Sequence, residues 1–208
     1  MTSNKQHWEN IYSQKKGNEL SWTQQYPSIS MQFISEIKLP KNAKIIDIGG
    51  GEGFLADALL DAGFTNITVL DISKTAIEDA KKRLAEKAKN IKWIVADITE
   101  FENSDKFDFW HDRAVFHFLT VQNQVEKYKS RLTAGLIEKG FFLLGTFSPM
   151  GPFKCSGLNI VQYSKEEMQT LFIDNFLMIN DYEQEHLTPF NTIQNFQFGG
   201  FKKITKNE

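Results

Sequence analysis

The stretch that most constrains this chain is IIDIGGGEGF, Ile45 to Phe54, in which an apolar run breaks into four glycines within five positions. Each glycine that becomes helical weakens a helix start by roughly 1 kcal/mol, so a plain strand-to-helix turn has little reason to carry so many. Such a turn does let backbone approach a ligand closely and adopt positive φ. Gly49, Gly51 and Gly53 follow Asp47 in the spacing DxGxGxG. A helix read from Glu52 onward would direct its free amides at a bound molecule. The dinucleotide spacing GxGxxG is not met, because Phe54 stands where that fingerprint wants its last glycine.

Around this turn the hydrophobic period alternates. Ala43 to Ile48, Ile67 to Leu70, Ile91 to Val95, Phe107 to Trp110 and Gly140 to Phe147 read as strands. Glu52 to Asp61, Lys74 to Lys87 with Ser73 as N-cap, and Gln122 to Glu138 read as helices. Strands alternating with helices of this length predict right-handed crossovers and an α/β fold with a mainly parallel sheet. Upstream, Ser28 to Ile37 reads as an amphipathic helix stopped by Pro40, within an aromatic-bearing arm. After Pro152 the pattern changes: a helix from Lys165 to Phe172 leads into Leu177 to His186 and Gln194 to Lys203, which read as a closing antiparallel pair. No repeat, low-complexity tract or linker divides the chain. Residues 1–208 are therefore read as one domain, with an arm at 1–40, a core at 41–150 and a closing segment at 151–208.

Composition narrows the partners. A formal net charge of -2 provides no excess of Lys and Arg for a nucleic-acid backbone or an anionic membrane. The single cysteine, Cys155, excludes an internal disulfide framework and a Cys-rich zinc site; no metal is expected, and a reducing compartment fits. The polar start, and the lack of any apolar run near the roughly 20 residues a membrane helix needs, predict a soluble cytoplasmic protein.

Two carboxylates follow the glycine turn at telling places. Asp71 closes VLD at the end of the second strand, where it can accept from both hydroxyls of a ribose; an N-cap or Asx turn is the plainer use of the same residue. Asp97, in VADIT after the third strand, can accept from an exocyclic adenine amine, although alone it is an ordinary loop aspartate.

At these separations IIDIGGGEGF, VLDIS and IVADIT resemble the first three motifs of the class I S-adenosylmethionine-dependent methyltransferases, across Ala43 to Phe147. HWENIYSQKKGNELSWTQ, HDRAVFHFLT and GTFSPMGPFKCSGLNIVQYS extend the resemblance over nearly the whole chain, to a branch of small bacterial methyltransferases without an assigned substrate. The resemblance implies a Rossmann-like three-layer sandwich with a seven-stranded, mainly parallel sheet whose last strand is antiparallel. It implies S-adenosyl-L-methionine as cofactor, laid across the carboxyl ends of the early strands. Asp47 and the turn of Gly49, Gly50, Gly51 and Gly53 would hold its methionine end, Asp71 the ribose, Ile72 the adenine face, and Asp97 with Ile98 the adenine edge. Gly50 departs from the Cys, Ala or Ser of many members. His111, Asp112 and Arg113 would lie near the methyl group. Trp22, in ELSWTQ, is a candidate lid residue, its aromatic face excluding water and attracting the sulfonium, with Trp8 and Tyr12 beside it; the alternative is that these rings simply bury the N-terminal helix.

In-line methyl transfer asks mainly for positioning, and for a general base only where the acceptor must first lose a proton. His117 and His186 are the candidate bases, with His111 and Asp112 behind them; each histidine has a structural role as its alternative. Arg113 would meet a substrate carboxylate or close an ion pair with Asp112 or another nearby acid. Cys155 has no activating neighbour and reads as passive, and the basic run Lys81 to Lys89 as a solvated helix face. HDR replaces the NPPY-type motif of base methylation, so a small-molecule acceptor is expected and nucleic acid is not. Methylation of a protein lysine is the first alternative, since some small lysine methyltransferases have a similar arm; a non-catalytic S-adenosylmethionine-binding protein is the second.

Overall fold

The arm ahead of the glycine turn folds into two helices, Asn4–Gln14 (α1) and Ser28–Glu36 (α2), before the chain enters a sheet at Lys44–Ile48 (β1). There follow Leu55–Asp61 (α3), Asn66–Asp71 (β2), Lys74–Leu84 (α4), Ile91–Val95 (β3), Phe107–Arg113 (β4), Gln122–Gly135 (α5) and Leu136–Phe147 (β5). A small hairpin, Lys154–Cys155 (β6) and Leu158–Asn159 (β7), leads through Lys165–Phe172 (α6) to Phe176–Leu187 (β8) and Ile193–Lys203 (β9). This computed structural model describes residues 4–102 and 104–205; the outermost three residues of the arm and of the closing segment lie outside the described residues. Among those described, no helix is long and apolar enough to cross a membrane.

Seven strands form one sheet in the order β3-β2-β1-β4-β5-β9-β8. β1 pairs in parallel with β2 and β4, β2 with β3, and β4 with β5, whereas β9 runs antiparallel to both β5 and β8. The chain steps outward from β1 to β3 and then returns to β4. Connections therefore leave β1 and β4 in opposite directions, which opens a crevice at their carboxyl ends.

Strand residues two apart share a face, and this sorts the core. Ile45, Phe109, Leu143 and Phe147 join α2 and α3 through Phe33, Ile34, Leu55 and Leu59. Ile46, Ile48, Trp110, Phe142 and Leu144 join α5 and α6 through Tyr128, Leu132, Met168 and Phe172. The result is the expected three-layer sandwich, with both sheet faces covered.

Five boundaries differ from the sequence reading by three residues or more. α3 starts at Leu55 rather than Glu52, because Gly53 N donates to Gly50 O and closes a tight turn first; no helix end is presented by Glu52. α4 stops at Leu84, where Ala85 takes a φ of 49° and a 3-10 turn continues to Asn90. α5 ends at Gly135, and the following strand begins at Leu136 instead of Gly140. β4 runs on to Arg113, so His111, Asp112 and Arg113 are strand residues rather than loop residues after the strand. Helix α1 went unread because only Tyr12 of its eleven residues is buried, too little apolar repeat to show a face.

Candidate functional site

The glycine turn sits directly above β1. Gly49 N donates to Leu70 O at 2.7 Å, which ties the turn to β2. Gly49 has a φ of +66°, and a Cβ there would stand 2.0 Å from the Val115 side chain. At Gly51, φ +36°, a Cβ would reach 2.7 Å from the Asp71 carboxylate and 3.2 Å from the Tyr12 hydroxyl. A side chain at Gly51 would crowd Asp71, and one at Gly49 would collide with Val115.

A cavity of about 900 Å³, its open mouth included, runs across the carboxyl ends of β2, β1 and β4. One end is walled by Asp71, Ile72, Ala96, Asp97 and Ile98; the other by Arg113, Val115, Phe118, Phe147 and Cys155. Trp8, Tyr12 and Trp22 close over it from the arm. Trp8 packs edge-on against Trp22 and Phe118, with ring centroids 5.8 Å and 5.0 Å apart. An adjoining cavity of about 600 Å³ shares Tyr12, Trp22, Gly49 and Arg113 with the first and adds Asp47, Gly50, Glu52, Gly53 and His111. The structure thus brings Trp22, Gly49, Asp71, Ile72, Asp97 and Ile98 to one wall, and Asp47, Gly50, Gly53 and His111 to its neighbour. Gly51 lies behind them, against Asp71.

Electrostatics at the first end are set by burial. Asp71 is pushed up to about 7 by desolvation, with hydrogen bonds from Ser73 N and Gly51 N opposing the rise and the charges of Asp47 and Glu9 adding to it. Tyr12 is raised well above an ordinary phenol by the same burial and by the Asp71 charge. Asp97, which lines the cavity, accepts from Thr99 N and Thr99 Oγ1 through one oxygen, both at 2.8 Å. The arm is pinned in place by Glu9, whose carboxylate accepts from Ser73 Oγ, Lys74 N and Thr75 N at 2.7 to 3.1 Å. Glu9 therefore occupies the free amides at the start of α4.

Strand parity divides the HDR triplet. His111 and Arg113 face the cavities, while Asp112 turns to the opposite side. There its oxygens accept from Tyr128 Oη at 2.7 Å, Val115 N and Phe116 N. Desolvation raises Asp112 to about 6, against those hydrogen bonds. It shapes the turn after β4 and stands away from the cavities.

Neither His117 nor His186 lines either cavity. His117 is wholly buried, and its Nδ1 accepts from Phe147 N at 3.3 Å. Burial, with Arg113 nearby, drives it down to about 3, so the ring is neutral and its proton sits on Nε2. His186, on β8, donates from Nε2 to Ser21 O at 2.8 Å and so holds the arm next to Trp22. Its pKa is lowered by burial and by Arg113. Each ring makes a hydrogen bond to backbone, and His117 Nε2 is buried without a partner among the described residues. Of the alternatives for Arg113, the ion pair with Asp112 does not form; Arg113 Nη1 donates to Trp22 O at 2.9 Å.

Sequence reasoning missed Glu9, an isolated acid that carries no motif, and gave no role to Glu52, which lies inside the glycine turn. It also missed the apolar wall of Val115, Phe118 and Phe147, which two separate segments supply, the turn after β4 and the end of β5.

Residues 45–135 match a family model described as a methyltransferase domain. Among curated proteins, EEF1A lysine methyltransferase 2 of Homo sapiens is 26% identical over 94% of this chain and 80% of its own length. Malonyl-[acyl-carrier protein] O-methyltransferase of Anoxybacillus flavithermus is 36% identical over 50% of this chain and 38% of that protein. Among solved structures, the N-methyltransferase NodS of Bradyrhizobium japonicum, in complex with S-adenosyl-L-homocysteine, superposes with a TM-score of 0.68 at 16% identity, over 97% of this chain and 99% of that one.

Proposed function

We propose that this chain, whose residues 45–135 match a methyltransferase domain, is a class I S-adenosylmethionine-dependent methyltransferase that uses S-adenosyl-L-methionine to methylate a small molecule held against Val115, Phe118 and Phe147 in the larger cavity. The observation that carries this reading is the two-ended wall itself. One end offers carboxylates and aliphatic faces suited to a nucleoside, and the other is apolar apart from Arg113 and is closed by aromatic rings.

The residues fit the cofactor. Asp71 faces the cavity beside a glycine that no other residue could replace without contact, and we assign it to the two ribose hydroxyls. Ile72 and Ile98 would cover the adenine faces, and the second oxygen of Asp97 would accept from its amine. Asp47 and Gly49, Gly50, Gly51 and Gly53 would hold the methionine end. Trp22 would cover the sulfonium. His111 acts on the cofactor through Asp47.

When bound, the cofactor supplies a methyl group on a sulfonium: the sulfur–methyl bond breaks as the acceptor–methyl bond forms, leaving S-adenosylhomocysteine. Within the cavity the chain contributes position and exclusion of water. His117 and His186 are engaged in structural hydrogen bonds and held neutral by burial, and Asp112 faces away. No general base is then assigned to this chain, which favours an acceptor whose nucleophilic atom already carries its lone pair. The whole of residues 1–208 acts as one unit in this reading, with the arm as lid.

Methylation of a protein lysine is the second reading, and the similarity over most of the chain to a lysine methyltransferase favours it. Titration calorimetry with S-adenosylmethionine and S-adenosylhomocysteine tests the shared premise: wild type should bind at micromolar concentrations and Asp71→Ala should not. Lack of binding by wild type would remove the cofactor assignment. A radiolabelled methyl screen of small molecules and of protein extracts then separates the two readings.

A further inference from the structure

We propose that Arg113 is an anion-binding residue of the cavity and that the free edge of its guanidinium receives a carboxylate. The proposal rests on the functional reading above, since it takes the cavity as the meeting place of cofactor and acceptor.

Arg113 stands where the two cavities join and lines both. Its plane is fixed on two sides: Nη1 donates to Trp22 O at 2.9 Å, and the guanidinium carbon lies 4.7 Å from the centre of the Phe196 ring. Nε and Nη2 are buried and have no hydrogen-bond partner among the described residues. Those two nitrogens form one edge of the guanidinium, the edge whose parallel N–H groups match a carboxylate.

The neighbouring acids do not neutralise it. Asp112 faces the other side of the sheet and is taken by Tyr128 and two backbone amides. Asp47 is held by His111 at 2.7 Å. Burial draws Arg113 down only to about 10, so it keeps its charge at neutral pH. A buried cation with two unmet donors is costly to leave unpaired, and a bound anion would satisfy both donors and charge at once.

Two ligands could bring that carboxylate. One is an acceptor acid whose apolar body packs on Val115, Phe118 and Phe147. The other is the amino-acid end of the cofactor, whose ammonium would meet Glu52 Oε2, a second buried atom without a partner, in the adjoining cavity. If the acceptor supplies it, a protonated lysine is a poor substrate, since like charges would face each other; if the cofactor does, the lysine reading is untouched.

Titration calorimetry on wild type separates these sources without any variant. The cofactor arm compares S-adenosylhomocysteine with its decarboxylated analogue. The acceptor arm compares benzoate, phenylacetate and hexanoate with their methyl esters, on protein saturated with S-adenosylhomocysteine. In one arm the carboxylate should strengthen binding by about 10- to 100-fold. That advantage should vanish in Arg113→Gln and return in part in Arg113→Lys, with thermal melts confirming that both variants fold. Equal binding with and without the carboxylate in both arms would overturn the proposal. Failure of S-adenosylhomocysteine to bind wild type would overturn the functional reading instead, and the acids titrated into the free protein would still report on Arg113.

Discussion

His111 Nδ1 lies 2.7 Å from a carboxylate oxygen of Asp47, and both groups are buried. The opposite ring nitrogen, Nε2, is 2.9 Å from Ser30 Oγ on α2. One imidazole thus joins β1, β4 and the helix of the arm just below the glycine turn. His111→Phe keeps a ring in place but strips Asp47 of this partner. The free protein should lose about 1–3 kcal/mol of stability in urea denaturation, and cofactor affinity should fall with it. Unchanged affinity in a destabilised variant would mean that His111 serves the fold alone.

With Asp71 assigned to the ribose hydroxyls, cofactor binding should be sensitive to pH. Desolvation raises this carboxyl to about 7 in the free protein, and the protonated form loses acceptor capacity toward a ribose hydroxyl. Affinity for S-adenosylhomocysteine should be constant above about pH 8 and weaken below pH 7, by up to about tenfold per pH unit. The sign for stability is the reverse. An acid whose folded pKa exceeds its unfolded value is penalised when ionised, so the free protein loses stability as pH rises from about 4 to 7. Asp71→Asn should abolish both slopes, bind cofactor weakly, and melt at a higher temperature than wild type at pH 8. A wild-type affinity flat from pH 6 to 8 would refute the assignment.

Glu9 latches the arm. Partial burial alone would raise its pKa, but hydrogen bonds from Thr75, Lys74 and Ser73 outweigh that and hold it below the ordinary carboxylate range. A lowered folded pKa means that the latch contributes fully above the unfolded value and is lost as pH falls through the folded one. Glu9→Ala leaves the first amides of α4 without this acceptor, a change typically worth about 0.5–2 kcal/mol at a helix cap. The measurement is hydrogen exchange: amides of Asn4–Gln14 should exchange faster in Glu9→Ala than in wild type at pH 7, and that difference should shrink below pH 4. Cofactor affinity should fall as well, because Trp8 and Tyr12 ride on the same helix.

The sheet and the cofactor end of the cavity were legible because they rest on local signals. Short, largely continuous apolar runs marked the strands, and the glycine turn together with aspartates at strand ends pointed to Asp47, Asp71 and Asp97. What stayed hidden depends on contacts between distant segments. Glu9 reaches α4 across 65 residues of chain, and His186 meets Ser21 across 165. Strand parity also escaped, since β4 continues through Arg113; with the strand ended at Trp110, His111, Asp112 and Arg113 looked equivalent. The extra length explains why Asp112 and Arg113 point to opposite faces and never pair.

Cys155 lies in the cavity wall beside Arg113 and carries a thiol that burial pushes up to about 11, despite the opposing influence of Ser156 and of the Arg113 charge. The thiolate is the reacting form, so modification should be slow for two independent reasons, protonation and access. At pH 7.5 iodoacetamide should label Cys155 far more slowly than free cysteine. Its rate should rise with pH up to about 10, without the plateau near 8.5 that an exposed thiol would show. An occupant resting on Val115, Phe118 and Phe147 would also shield the sulfur, so a true acceptor should slow labelling more than S-adenosylhomocysteine does alone. Mass spectrometry of the alkylated peptide reads this directly, and fast labelling unaffected by either ligand would place the acceptor elsewhere.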